Sequence, residues 1–180
     1  PTRGSRLDLF CFIGLLSAFG SAHGSLEFLD MWGAIRGGPV VSGEFRAALM
    51  VGSFVLLFAF GRRLAAAALV DVPTVARWFG PWLHLLPLGG LALCLALPLS
   101  LVDALNLAGR YCYAVPGAWL TGTGFLLYCR LKIRPAIPDE EFPRLHVACV
   151  TAALAFLAYG VFGGVILQSL PVFPASVLNQ

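Results

Sequence analysis

Charge is what this sequence has least of. Only 12% of its 180 residues are Asp, Glu, Lys or Arg, about half the share in an ordinary soluble domain. The nine acids and twelve bases leave a net charge of +3, and no basic run is interleaved with aromatics, which excludes a nucleic-acid groove. Catalytic motifs are missing too. The chain contains no H-E-x-x-H, no G-x-S-x-G, no Walker A loop and no EF-hand loop, and no polar stretch long enough to form a soluble catalytic domain. Catalysis by this chain alone is not expected. There is no C-x-x-C either: Cys11, Cys94, Cys112, Cys129 and Cys149 are odd in number and lie in or beside apolar runs, as small buried residues do, which argues against disulfides and metal thiolates. No segment repeats with a period of about 20 to 50 residues, so a solenoid or an inverted-repeat transporter is not supported.

Hydrophobicity is what the chain has in excess, at 59% of residues and a mean hydropathy of +0.86. The expected fold is therefore all-α, a polytopic membrane helix bundle. A hydrocarbon core takes about 20 helical residues to cross. Five runs suffice, approximately 7–29, 45–60, 82–102, 108–131 and 145–167, with 168–180 as an outer-side segment of a single transmembrane domain. The second run is the shortest, because Arg62 and Arg63 stop it, and it has room to start near Val40. Arg3 and Arg6 ahead of an apolar stretch resemble a signal peptide, but the run continues to Leu29 and reads as a span.

The few charges encode topology. With the N-terminus cytoplasmic, nine cations (Arg3, Arg6, Arg62, Arg63, Arg77, Arg130, Lys132, Arg134, Arg144) fall inside and three (Arg36, Arg46, Arg110) outside, as the positive-inside rule requires. Trp32, Trp78, Trp82 and Tyr128 lie near the predicted interfaces, although Trp119 does not. Helices should touch where residues are small: Gly14 and Gly20, then Gly117, Thr121 and Gly124, then Gly160 and Gly164. Pro87, Pro98 and Pro116 should kink the third and fourth helices.

One polar constellation stands out. His23, Glu27 and Asp30, at i, i+4 and i+7, share one helical face within an arc of about 60°. Two arrangements are open. Glu27 and Asp30 mark the outer end of the helix, salted by Arg36 or Arg46; or the stripe belongs to an outer polar pocket closed by Asp103, Asn106 and Arg110 between helices three and four. In the second case His23 and Glu27 should face inward and meet Arg110 or Tyr111 as a polar latch. Such a layer is suited to sensing external pH or a small ligand. The stripe has metal-ligand types but no anchoring motif, so no metal is assigned. No cofactor is assigned either: His84 and His146 as axial ligands of a haem, and a quinone beside an apolar slot, both suit the residue types, and nothing identifies either.

Four stretches, "LSAFGSAHGSLEFLDMW" (Leu16–Trp32), "GRYCYAVPGAWLTGTGFLLYCR" (Gly109–Arg130), "LAFLAYGVFGG" (Leu154–Gly164) and "FPASVLNQ" (Phe173–Gln180), together resemble the multi-helix membrane sensor region of some bacterial histidine kinases and related signalling proteins. The matching positions are Phe19, Gly20, His23 and Glu27; Arg110, Tyr111, Pro116 and Gly117; and Phe173, Pro174, Ala175, Ser176 and Asn179. Phe28 stands where that group usually has Trp, and Val115 where it has Phe. The resemblance implies a non-catalytic sensory input module in a bacterial inner membrane, with the lipid bilayer and other membrane chains as partners. Such regions normally lead into a phosphorylatable dimerisation helix and an ATP-binding domain, so this chain is expected to be part of such a protein or a free-standing relative. The rival expectation is a structural or accessory subunit of a larger respiratory or photosynthetic complex, lining a quinone, pigment or lipid site.

Overall fold

The computed structural model describes residues 5–162, with side chains from residue 12 onward, and among these residues it is helical with no strand. The 168–180 segment, Gly164 and the 173–180 motif lie outside the described residues. The helices are α1 (Ser5–Arg36), α2 (Gly43–Ala68), α3 (Pro73–Ala76), α4 (Leu85–Ala96), α5 (Leu101–Ala108), α6 (Val115–Tyr128) and α7 (Phe142–Val161). Three stretches, Gly43–Ala68, Pro73–Ala96 and Phe142–Val161, are long and apolar enough to cross a membrane.

Local chemistry sets the ends, and it moves several expected boundaries. α1 runs on to Arg36 and stops where Gly37 takes φ 75; the Gly38 amide then reaches the Gly33 carbonyl at 3.0 Å and the Gly37 amide that of Ala34 at 3.3 Å, the paired bonds of a glycine C-cap. Arg62 and Arg63 do not stop the second helix, which continues to Ala68. Arg62 stays inside it because its Nη1 donates to the Phe79 carbonyl at 2.7 Å. The third helix ends at Ala96, short of the expected 102, because Leu97 is extended ahead of Pro98. The fourth begins at Leu101 instead of 108, since Ser100 caps it by accepting from the Asp103 amide at 3.1 Å. From there helical backbone is unbroken to 133. Gly109–Ala114 is a π-helical turn whose last bond runs from the Val115 amide to the Arg110 carbonyl. Pro116 has no amide hydrogen to continue the α ladder, and the wider turn just before it accommodates that loss.

α2 is the centre of the bundle. It packs on α1, on α6 and on α5 with its π turn, and α7 packs on α6 and reaches the core through Phe156 and Tyr159. In its most apolar window 39% of residues are buried, against 11% in Pro73–Ala96 and in α7, so those two are peripheral. Leu85, Leu86, Leu93, Val147 and Leu154 accordingly face outward. Phe54, Leu57, Phe58, Met50, Leu26, Tyr113 and Ala118 form the main core. α2 and α6 approach closely through small residues: a Cβ on Gly61 would lie 2.7 Å from the Thr121 amide nitrogen and 2.9 Å from the Gly117 carbonyl oxygen. Gly124 meets Leu64, and Gly160 seats α7 against Trp119 of α6. Gly14 and Gly20 face open space instead of a neighbouring helix. At the opposite end of the bundle from the Gly37 turn, Lys132 pairs with Asp71 at 2.5 Å.

Candidate functional site

His23 lies in the middle of α1, on the face turned to α2 and α7. Its ring is boxed by aromatics: Phe19, one turn earlier, stacks at 5.3 Å between centroids, Phe54 of α2 lies at 5.3 Å, and Tyr159 of α7 approaches edge-on at 5.9 Å. Both ring nitrogens have partners, Ser53 Oγ at 3.3 Å from Nδ1 and Tyr159 Oη at 3.0 Å from Nε2.

The Ser53 hydroxyl has one hydrogen, and it is donated to the Met50 carbonyl at 2.7 Å. Towards His23, Ser53 is therefore an acceptor, so Nδ1 carries the proton. Nε2 of the neutral ring then has a lone pair, which accepts from the Tyr159 hydroxyl. The result is a directional chain, Tyr159 to His23 to Ser53 to the Met50 carbonyl, that ties α7, α1 and α2 together.

Glu27 Oε1 stands 3.7 Å from the same Nε2, with a side chain 68% exposed against 19% for His23. Each protonation state of the ring is thus provided for. The neutral ring accepts from Tyr159, while the Nε2–H of a protonated ring has the Tyr159 oxygen at 3.0 Å to accept it and the Glu27 carboxylate at 3.7 Å to balance its charge. The Arg110 guanidinium completes the layer, close enough to His23, Glu27, Tyr159 and Arg46 to interact with them electrostatically.

The remaining expected residues are distributed differently. Asp30 is clamped by Arg46 of α2, Nε to Oδ1 and Nη2 to Oδ2, both at 2.6 Å, beside a cleft of about 480 Å³ under the α1–α2 turn. Arg36 instead lies over the Trp32 ring, 5.0 Å from its centroid. Asp103 does not close the pocket, because its carboxylate accepts from Ser100 at 2.7 Å in the cap of α5. Asn106 is buried in α5, and its side-chain oxygen has no hydrogen-bond partner among the described residues. Tyr111 does not receive His23 or Glu27. It packs in a separate cluster with Cys94, Leu107 and Ala108, where the Cys112 thiol also bonds Cys94. A second thiol contact joins Cys149 of α7 to Cys129, and all four of these cysteines are free.

His84 lies edge-on to Phe58 at 5.0 Å, whereas His146 sits by Phe142 at 5.4 Å and lines a groove with Arg130. No group of three or more His, Cys, Asp or Glu suited to a metal occurs among the described residues. The partners that sequence reasoning missed are Ser53 and Tyr159. Tyr159 stood within the quoted "LAFLAYGVFGG", as its one hydroxyl; Ser53 had no periodic polar neighbour to mark it.

Comparison of the chain with protein-family models, with curated proteins and with solved structures returned no match in any of the three. The reading of the site rests on its own geometry.

Proposed function

We propose that the chain is a five-span bundle with a cytoplasmic N-terminus, multi-pass in a bacterial inner membrane, that serves as a non-catalytic sensory input module of a signalling protein. The five spans are supported by the three long apolar stretches, by the 32 residues of α1, about 48 Å of helix at 1.5 Å per residue, and by the unbroken helical run 101–133. The orientation is supported by the bias of nine cations to three. Lipid and other membrane chains cover the outward apolar faces of α4 and α7.

The observation that carries the sensory reading is the His23 layer. One ring bonds residues of two other helices and has a carboxylate within reach of the nitrogen that would take a second proton. Protonation reverses the hydrogen bond at Nε2: the Tyr159 hydroxyl hydrogen must turn away, and the ring's new donor meets the Tyr159 oxygen, with the Glu27 carboxylate just beyond it. A charge change of this kind at a helix contact is how histidine switches bias a bundle.

The test is the α1–α7 distance in the reconstituted full chain, read by pulsed electron resonance between labels at the exposed positions Phe28 and Leu154. It should change between about pH 8 and about pH 5, and the change should vanish in His23→Gln. An invariant distance, or the same change in His23→Gln, overturns the sensory reading.

A further inference from the structure

We infer that the groove between α2, α6 and the Trp78–Pro87 turns is the site of a single anionic phospholipid. The groove is an open cavity of about 540 Å³, lined almost wholly by apolar groups, among them Phe58, Trp78, Phe79, Leu86, Pro116 and Leu120. That size is ordinary for a ligand site. Trp78 also borders a second concavity, which holds Arg77, Thr74 and Trp82. The two spaces share Trp78; Arg77 lines the second, and Arg62 and Arg63 lie within electrostatic reach of His84, next to the groove-lining Leu83.

Among the described residues these cations have no paired counter-charge. Arg62, Arg63 and Arg77 enter no ion pair among the described residues, and Asp71, the acid nearest them in sequence, is taken by Lys132. Arg63 and Arg77 are exposed. Arg62 is 9% exposed, and beyond its bond to the Phe79 carbonyl at 2.7 Å its Nε is buried without an acceptor. The buried Nε is out of reach of an occupant of the groove, but the charge of Arg62, next to the groove-lining Phe79 whose carbonyl it bonds, favours an anion with several acceptor oxygens.

The occupant follows from that pairing. A neutral quinone would leave three guanidinium charges uncompensated, and the indole donor of Trp82 is already bonded to the Arg77 carbonyl at 2.9 Å. A phosphodiester on acyl chains matches both halves, with its phosphate at the arginines and a chain along Phe58 and Leu120. Trp78 and Trp82, 64% and 43% exposed, stand where interfacial aromatics meet lipid headgroups, and basic pockets between helices are the known setting for anionic headgroups.

The test uses the full chain in vesicles of phosphatidylcholine containing phosphatidylglycerol, with bromine on the chains of one lipid or the other. At equal mole fraction the brominated phosphatidylglycerol should quench tryptophan fluorescence more strongly, and the difference should fall on Trp78→Phe/Trp82→Phe. Arg63→Gln and Arg77→Gln should each lower the preference about five-fold, the worth of one basic residue at an anionic surface. Arg144→Gln, another exposed cation in the chain, should leave it unchanged. Equal quenching by the two lipids overturns the site. So does a loss in Arg144→Gln as large as that in Arg77→Gln, which would mean general surface attraction. Competition by inorganic phosphate at concentrations comparable with the lipid overturns the lipid as occupant.

Discussion

Ser53 spends its hydroxyl hydrogen on the Met50 carbonyl, and that decides which nitrogen of the His23 ring carries the proton and leaves the other to accept from Tyr159. The account predicts that nitrogen NMR of the neutral His23 ring shows the Nδ1–H tautomer; an Nε2–H signal would mean that the chain of donors runs the other way. Energetically the layer is modest. Hydrogen bonds between membrane helices average about 0.6 kcal/mol and reach about 1.7, so Tyr159→Phe should cost on the order of 1 kcal/mol of bundle stability, measured by unfolding in detergent. Ser53→Ala should couple to it, because both bonds share one ring; strictly additive costs would show that His23 does not bridge them. The Asp30–Arg46 pair is different. With both side chains about a third exposed, Asp30→Asn should cost under about 1 kcal/mol despite its bidentate geometry, and a loss of several kcal/mol in the same unfolding measurement would show a pair far better shielded than its exposure indicates.

At the scale of elements, close approach of α2 and α6 is the feature most sensitive to mutation. Gly61→Ala would drive a methyl group to 2.7 Å from the Thr121 backbone nitrogen, and helix backbones cannot yield as a side-chain tip can. A loss of about 1–3 kcal/mol is expected, whereas Gly14→Ala, which meets open space, should be neutral or slightly stabilising in the same assay. Thermal unfolding of the two variants side by side decides this; equal effects would contradict the packing. Small residues on the fourth helix could be recognised as contact points from sequence because Gly117, Thr121 and Gly124 recur on one face. Their partner Gly61 could not, because it adjoins two arginines that look like a helix end. The helix continues there for a tertiary reason, the carbonyl of Phe79 arriving to accept from Arg62. The same limit applies to the site. The i, i+4, i+7 stripe on α1 was legible because its members are local, but Ser53 and Tyr159 become polar neighbours of His23 only after three helices are assembled. Asp103 and Ser100 show the opposite case. Their spacing is that of a helix cap, and the cap claims the carboxylate that a pocket would have needed.

For the whole molecule, the arrangement puts distinct chemistry at the two ends. The Asp30–Arg46 clamp and the Ser100 cap belong to the end where α1 turns into α2 and α4 into α5, and the His23 layer lies about two turns of α1 inward from that clamp. Arg62, Arg63, Arg77, Lys132 and the proline-rich connection ahead of α7 belong to the other. The proposed sensory role and the proposed lipid site both require these two ends to lie at opposite faces of a membrane. That placement is tested most directly by labelling with a membrane-impermeant maleimide in intact cells, using Arg36→Cys and Arg63→Cys, both at exposed positions. The account predicts that Arg36→Cys is labelled from outside and that Arg63→Cys is labelled only after the membrane is opened. Labelling of both from the same side would contradict it.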